Sequence, residues 1–177
     1  MSTRGYMGIQ KRGQLKGSYN HYDSYFEGLG KDIIKSINKI PKNERITELH
    51  KIFDRIELVN ENSVPTQSQR IHCIGNSVVD TSVGEHSFDD WYCLLRRTQG
   101  NLDVYIESDL KYMLNGNDFL NDELFCEYAY IINLDTNKLE VYENGKSILI
   151  MEGSLDKLNY YYMLKKYTKY HDKKYGD

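Results

Sequence analysis

The segment that most constrains the fold lies near the C-terminus. Phe125–Leu134 is dense in aromatic and β-branched residues, Asp135-Thr-Asn137 supplies a turn, and Leu139-Glu-Val-Tyr142 follows. Asn144-Gly145 then offers two residues that tolerate positive φ, the requirement of a tight hairpin, and Lys146–Met151 completes the pattern. A three-stranded antiparallel meander is the reading. Near the N-terminus, residues 5–11 and 15–22 alternate in character around Arg12-Gly13, which predicts a hairpin. An isolated two-stranded hairpin is marginal in water, so this one is expected to join the meander.

Between the two sheet signals the period changes. Leu29, Ile33, Ile37 and Ile40 fall at helical spacing, with Pro41 as terminator. Asn43 is expected to cap a second helix carrying Ile46, Leu49, Phe53 and Ile56. Ser87 is expected to cap a third with Phe88, Trp91, Tyr92 and Leu95, and Gly100-Asn101 separates it from a fourth with Leu102, Tyr105 and Leu110. Ser154 should open a last helix that frays from Lys165 onward. Residues 60–87 read as a long loop or partly ordered insertion, with a short helix near 67–74. The fold class expected is α+β, a single domain over residues 1–177: one antiparallel sheet, N-terminal hairpin plus C-terminal three-stranded meander, covered by helices.

Composition narrows the function classes. The chain has 177 residues, 16 tyrosines and a single alanine, Ala129. With 40% hydrophobic residues it can assemble a core, which excludes a disordered acidic tail. No apolar run is long enough to span a bilayer, and no signal segment is evident, so the expectation is a cytoplasmic protein without a membrane partner. A net charge of −3 gives no electrostatic footprint for wholesale nucleic-acid binding. Cys73, Cys93 and Cys126 are odd in number and irregularly spaced, as reduced thiols in a reducing compartment would be. No metal or cofactor motif is present; the adjacent His72-Cys73 pair lacks metal-ligand spacing.

The densest polar constellation is Thr3 and Arg4, then Asn20-His21-Tyr22-Asp23-Ser24-Tyr25, then Gly28-Leu29-Gly30. If the strand continues past Asn20, His21 and Asp23 share a face, and a carboxylate beside an imidazole is the arrangement used in general acid–base catalysis. Arg4 on the neighbouring strand offers a fork to a phosphate or carboxylate, or alternatively a structural partner to an inward Glu127. Gly28 and Gly30 precede a helix start, where free amides favour an anion. The candidate ligand residues are therefore Thr3, Arg4, Asn20, His21, Asp23, Tyr25, Gly28 and Gly30, with His21 and Asp23 as catalytic candidates. Trp91, Arg96, Arg97 and Gln99 form a second patch, from which one arginine is placed to face the cleft of Arg4.

Thr3-Arg4-Gly5, Tyr19–Tyr25 with Gly28-Leu-Gly30, and Glu127–Asp135 with Leu139–Tyr142 resemble a family of small uncharacterised bacterial and phage proteins. Its members begin Thr-Arg and carry His-x-Asp-Gly/Ser-Tyr-Pro-x-Gly. This chain departs from that pattern at Phe26, where relatives have proline. The resemblance implies a phage or mobile-element setting, and with it host cytoplasm, but no mechanism. The expected function is binding: inhibition or sequestration of a host protein or a phosphorylated nucleotide-type small molecule. The alternatives are a small hydrolase or phosphodiesterase-like enzyme using His21 and Asp23, and a structural protein without a pocket. The Lys146–Met151 edge leaves a homo-oligomer open.

Overall fold

The turn at Arg12-Gly13 has both residues in the left-handed region, at φ 52° and 72°, the geometry that lets a two-residue loop match the twist of its strands. It joins β1 (Gly5–Lys11) to β2 (Gln14–Asn20). The Asp135 carboxylate clamps this turn from outside, accepting from the amides of Arg12 at 2.6 Å and Gly13 at 3.0 Å. A computed structural model describes residues 2–176.

The meander is present as β5 (Tyr128–Asn133), β6 (Lys138–Glu143) and β7 (Ile148–Ser154), paired antiparallel. The hairpin joins it in the order β2-β1-β5-β6-β7. The α+β class holds, but the sheet is mixed and not antiparallel throughout, because β1 runs parallel to β5. The long helical connection between the two strands makes parallel pairing accessible, as a tight turn would not. Central placement also suits the side chains of β1. Tyr6 is buried on one face of the sheet, and Met7 and Ile9 on the other. In register, Tyr6 faces Ala129 and Ala129 faces Tyr142. The chain's one alanine thus sits between two tyrosine rings on adjacent strands.

A second, two-stranded parallel sheet was not anticipated. It pairs β3 (Glu57–Val59) with β4 (Tyr112–Leu114), and three-residue strands carry no readable alternation. Helices cover the Met7–Ile9 face of the large sheet. α1 (Lys31–Lys39) inserts Ile33, Ile34 and Ile37, and α2 (Arg45–Arg55) inserts Leu49, Ile52 and Phe53. α3 (Gln67–Gly75) is fixed by a reciprocal capping box between Thr66 and Gln69. It is followed by α4 (Trp91–Leu94) and α5 (Leu102–Glu107). On the opposite face, α6 (Asn117–Leu120) closes a smaller cluster of Tyr6, Leu120, Cys126, Ala129, Ile131 and Tyr142. All three cysteines are free and buried, and burial pushes the Cys73 thiol up to about 11.

Several helix starts differ from expectation. Asp90, not Ser87, caps α4 by accepting from the Tyr92 amide. α2 begins at Arg45, two residues past Asn43, and the buried Arg45 guanidinium donates to the carbonyls of Leu155 and Ile40. β7 runs on to Ser154, and α7 (Tyr160–Tyr175) begins only after a 3-10 turn, capped by Asn159. Its tail does not fray at Lys165. The buried Glu143 accepts from Tyr170 Oη at 3.0 Å and Lys174 Nζ, with His171 Nε2 at 3.4 Å, and this holds the last turns against the sheet. Among the described residues no helix is long and apolar enough to cross a membrane.

Candidate functional site

Where β2 ends, the chain leaves the sheet abruptly. Asp23 is in the left-handed region at φ 48°, so the alternation that would pair His21 with Asp23 stops at Asn20. The expected His–Asp pair does not form. Among the described residues His21 makes one side-chain hydrogen bond, to the Tyr19 hydroxyl at its Nδ1, 2.5 Å away. Burial pushes the Tyr19 phenol up; Arg4, and more weakly Arg96, pull it back. A phenol kept protonated can donate to Nδ1, which then carries no proton in the neutral imidazole.

The loop after β2 is fixed by residues that sequence reading treated as ligand-binding. Buried Asn20 donates to Tyr22 O and to Ser24 Oγ, and Tyr130 Oη donates to Ser24 O at 2.8 Å. Thr3 contributes its carbonyl to the Ser24 amide. The expected anion cradle is occupied by the chain itself. The Gly28 amide donates to Tyr25 O and the Leu29 amide to Asp23 O, within a π-helical turn, Phe26–Gly30, that runs straight into α1. A Cβ at Gly28 would lie 2.2 Å from Asp23 O, and one at Gly30 would meet the rings of Phe26 and Tyr130. These glycines therefore serve packing, and Tyr25 is exposed beside them.

Arg4 does not pair with Glu127 through its side chain. Its backbone amide donates to Glu127 Oε1 at 3.0 Å, while its guanidinium lies over the Phe125 ring, 5.5 Å from the centroid, and Glu127 is exposed. Arg96, in the 3-10 turn Arg96–Thr98, sits between two tyrosines, 5.9 Å from the Tyr22 centroid and 5.8 Å from that of Tyr92. It donates to Gln99 Oε1 at 3.3 Å, and its buried Nε has no hydrogen-bond partner. Neither Arg4 nor Arg96 forms an ion pair among the described residues. The Tyr19 hydroxyl therefore lies in the field of two cations that form no ion pair among the described residues, although Asp23 and Asp32 border the same hollow as Arg96.

Two adjoining hollows open beside this cluster. One, of about 290 Å³, is walled by Tyr19, Tyr92, Leu95 and Phe119. The other, of about 240 Å³, is polar and is bounded by Asn20, Tyr22, Asp23, Asp32 and Arg96. Gln99 borders both. The apolar wall depends on Gly116, where a Cβ would lie 2.6 Å from the Tyr19 amide. That close approach lets the Gly116 amide bond to Gly17 O at 2.9 Å and brings Phe119 edge-on to Tyr19, centroids 4.7 Å apart. A wider hollow of about 650 Å³ beyond Tyr92 carries Glu85, Asp89 and Asp90 and shares Glu61 with the aromatic hollow, and its carboxylates repel an anion from that side.

Of the residues singled out from sequence, His21 bonds to Tyr19, and Asn20 and Asp23 border the same polar hollow as Arg96. Thr3, Arg4, His21, Tyr25, Gly28 and Gly30 line neither hollow, and Arg4 acts on Tyr19 only through its charge. Tyr92, Gly116 and Phe119 were missed. Phe119 follows a loop glycine in a four-residue helix, too short for periodicity to reveal which way it faces. Comparison with family models, with curated proteins and with solved structures returns no match.

Proposed function

We propose that this chain acts by binding, as a phage or mobile-element accessory protein in the host cytoplasm that sequesters a phosphorylated nucleotide-type small molecule. One observation carries the reading: Arg96 lies without an ion-pair partner among the described residues between Tyr22 and Tyr92, in a polar hollow that adjoins an aromatic one across Gln99. A planar base suits the Tyr19–Tyr92–Phe119 walls, where ring contacts add to apolar burial. A phosphate suits the guanidinium, whose fork matches its oxygens. In this reading Asp23 and Asp32, which share the polar hollow with Arg96, take the sugar hydroxyls, and the carboxylates of the hollow beyond Tyr92 disfavour the reverse orientation. His21 has a phenol and no carboxylate beside it, so a His–Asp hydrolytic mechanism has no geometric support and is not put forward.

Calorimetric titration with a panel of linear and cyclic nucleotides tests this. Saturable binding is expected without turnover. Arg96→Ala should weaken it at least about tenfold, the loss of one charge-assisted bond. If no phosphorylated nucleotide binds, or if Arg96→Ala binds as well as the parent chain, the reading fails.

A second reading, inhibition of a host protein, rests on the sheet edge. β7 ends the strand order and exposes Leu149 at 48%, features that favour strand addition by a partner or by a second copy.

A further inference from the structure

The chain's net charge conceals a separation of charge. α7 carries five lysines against one acid, Asp172, and the neighbouring α1 carries Lys31, Lys35 and Lys39 against Asp32. Two of these eight are spent inside the fold: Lys174 on Glu143, and Lys39 on Asp103 and Glu107. Lys31, Lys35, Lys165, Lys169 and Lys173 have no ion pair among the described residues. Lys165, Lys169 and Lys173 recur every fourth residue on the outer face, a like-charge ladder that costs a helix stability.

Aromatic rings interleave with this ladder. Tyr161 is 78% exposed and Tyr162 60%, at the first turn of a helix that buries only Met163 and Tyr167. Lys166 lies 4.7 Å from the Tyr162 centroid. Tyr160 bridges to α1, with Lys31 over its ring at 5.5 Å and Tyr161 edge-on at 5.4 Å. A groove of about 330 Å³ floored by Ile34 and Tyr160 and edged by Lys31 and Lys35 continues the strip onto α1.

We propose that the outer faces of α1 and α7 bind single-stranded nucleic acid, with bases stacked on Tyr161 and Tyr162 and phosphates on Lys31, Lys35, Lys165 and Lys169. Four residues of helix advance about 6 Å, a step that suits the repeating phosphates of an extended strand. Sequence-tolerant binding of single strands combines cationic tracks with stacking rings in this way. An anionic membrane fits less well, because this face has no run of aliphatic side chains to enter the acyl region. The site is separate from the Arg96 cleft and does not rest on it.

Fluorescence anisotropy of the full chain with a labelled oligothymidylate of about twenty nucleotides, at rising salt, tests the proposal. Expected is saturable binding with a log–log salt slope near −3, from four phosphates at about −0.7 each. Tyr161→Ala and Tyr162→Ala should each weaken binding about tenfold, and Tyr161→Phe should retain it. Lys165→Glu with Lys169→Glu should remove it, with the circular dichroism of the helix unchanged, while Arg96→Ala leaves it unaffected. Absence of binding at about 50 mM salt, affinity indifferent to both tyrosines, or tighter binding to duplex DNA or to phosphatidylserine vesicles than to the strand would each overturn it.

Discussion

Glu143 and Arg96 are two charges set among tyrosines, with opposite outcomes. At the C-terminal end, Tyr170, His171 and Lys174 converge on one buried carboxylate, and the charge is fully answered by the fold. Near the end of β2, Arg4 lies over Phe125 and Arg96 between Tyr22 and Tyr92, and neither forms an ion pair among the described residues. The same residue types build both places. A charge matched inside the molecule fastens an element, whereas a charge left unmatched beside a hollow is available to something from outside. Removing the first should therefore harm the fold, and removing the second should harm only binding.

The largest expected effect is that of Glu143→Ala. It withdraws a buried acceptor from two donors, Tyr170 and Lys174, and should destabilise the chain by about 3 kcal/mol in urea unfolding, with earlier hydrogen exchange in α7. A loss below about 0.5 kcal/mol, the range of ordinary surface changes, would break the contrast. Tyr130→Phe comes next. It orphans the Ser24 carbonyl that holds the loop carrying His21 and Asp23, at a cost of about 1.5 kcal/mol, and nucleotide affinity should fall with it. If affinity is unchanged, that loop does not shape the site.

The smallest effect concerns Asp135, an exposed carboxylate matched by backbone amides. The Gly13 amide, then that of Arg12, hold its pKa below the usual carboxylate value. A depressed folded pKa stabilises the native state above the unfolded value of roughly 4 and loses that stabilisation as pH falls through the folded one. Asp135→Asn should therefore lower the melting temperature slightly at neutral pH, flatten its fall in acid, and leave the value below the folded pKa nearly unchanged. An identical acid profile would show that the clamp contributes nothing.

Much of the scaffold was legible because it is local. Arg12-Gly13, the seven-residue alternation before it, and the β-rich run from Phe125 each state their geometry within a few residues. The parallel joining of β1 to β5 was not legible, since nothing in a hairpin records which distant strand will flank it. Nor were the three-residue strands of the second sheet. The held tail of α7 was missed because its anchor, Glu143, lies in another element. The site divides along the same line. Arg4, Asn20, His21 and Asp23 were picked from one clustered segment, and Arg96 from a separate patch. Their relation to Tyr92, Gly116 and Phe119 exists only in three dimensions. Gly28 and Gly30 misled because a glycine pair before a helix reads alike whether its amides are open or already bonded.

The position of β1 also bears on how the chain is made. Its pairing with β5 links Arg4 to Glu127 across 123 residues, so the β1–β2 hairpin has no sheet to enter until β5 has been synthesised. Until then Met7 and Ile9 on one side and Tyr6 on the other are exposed together on a strand with one unpaired edge, the kind of surface that chaperones bind and that aggregates when they do not. Folding yield is therefore expected to depend on how quickly β5 follows, as well as on the stability of the finished molecule.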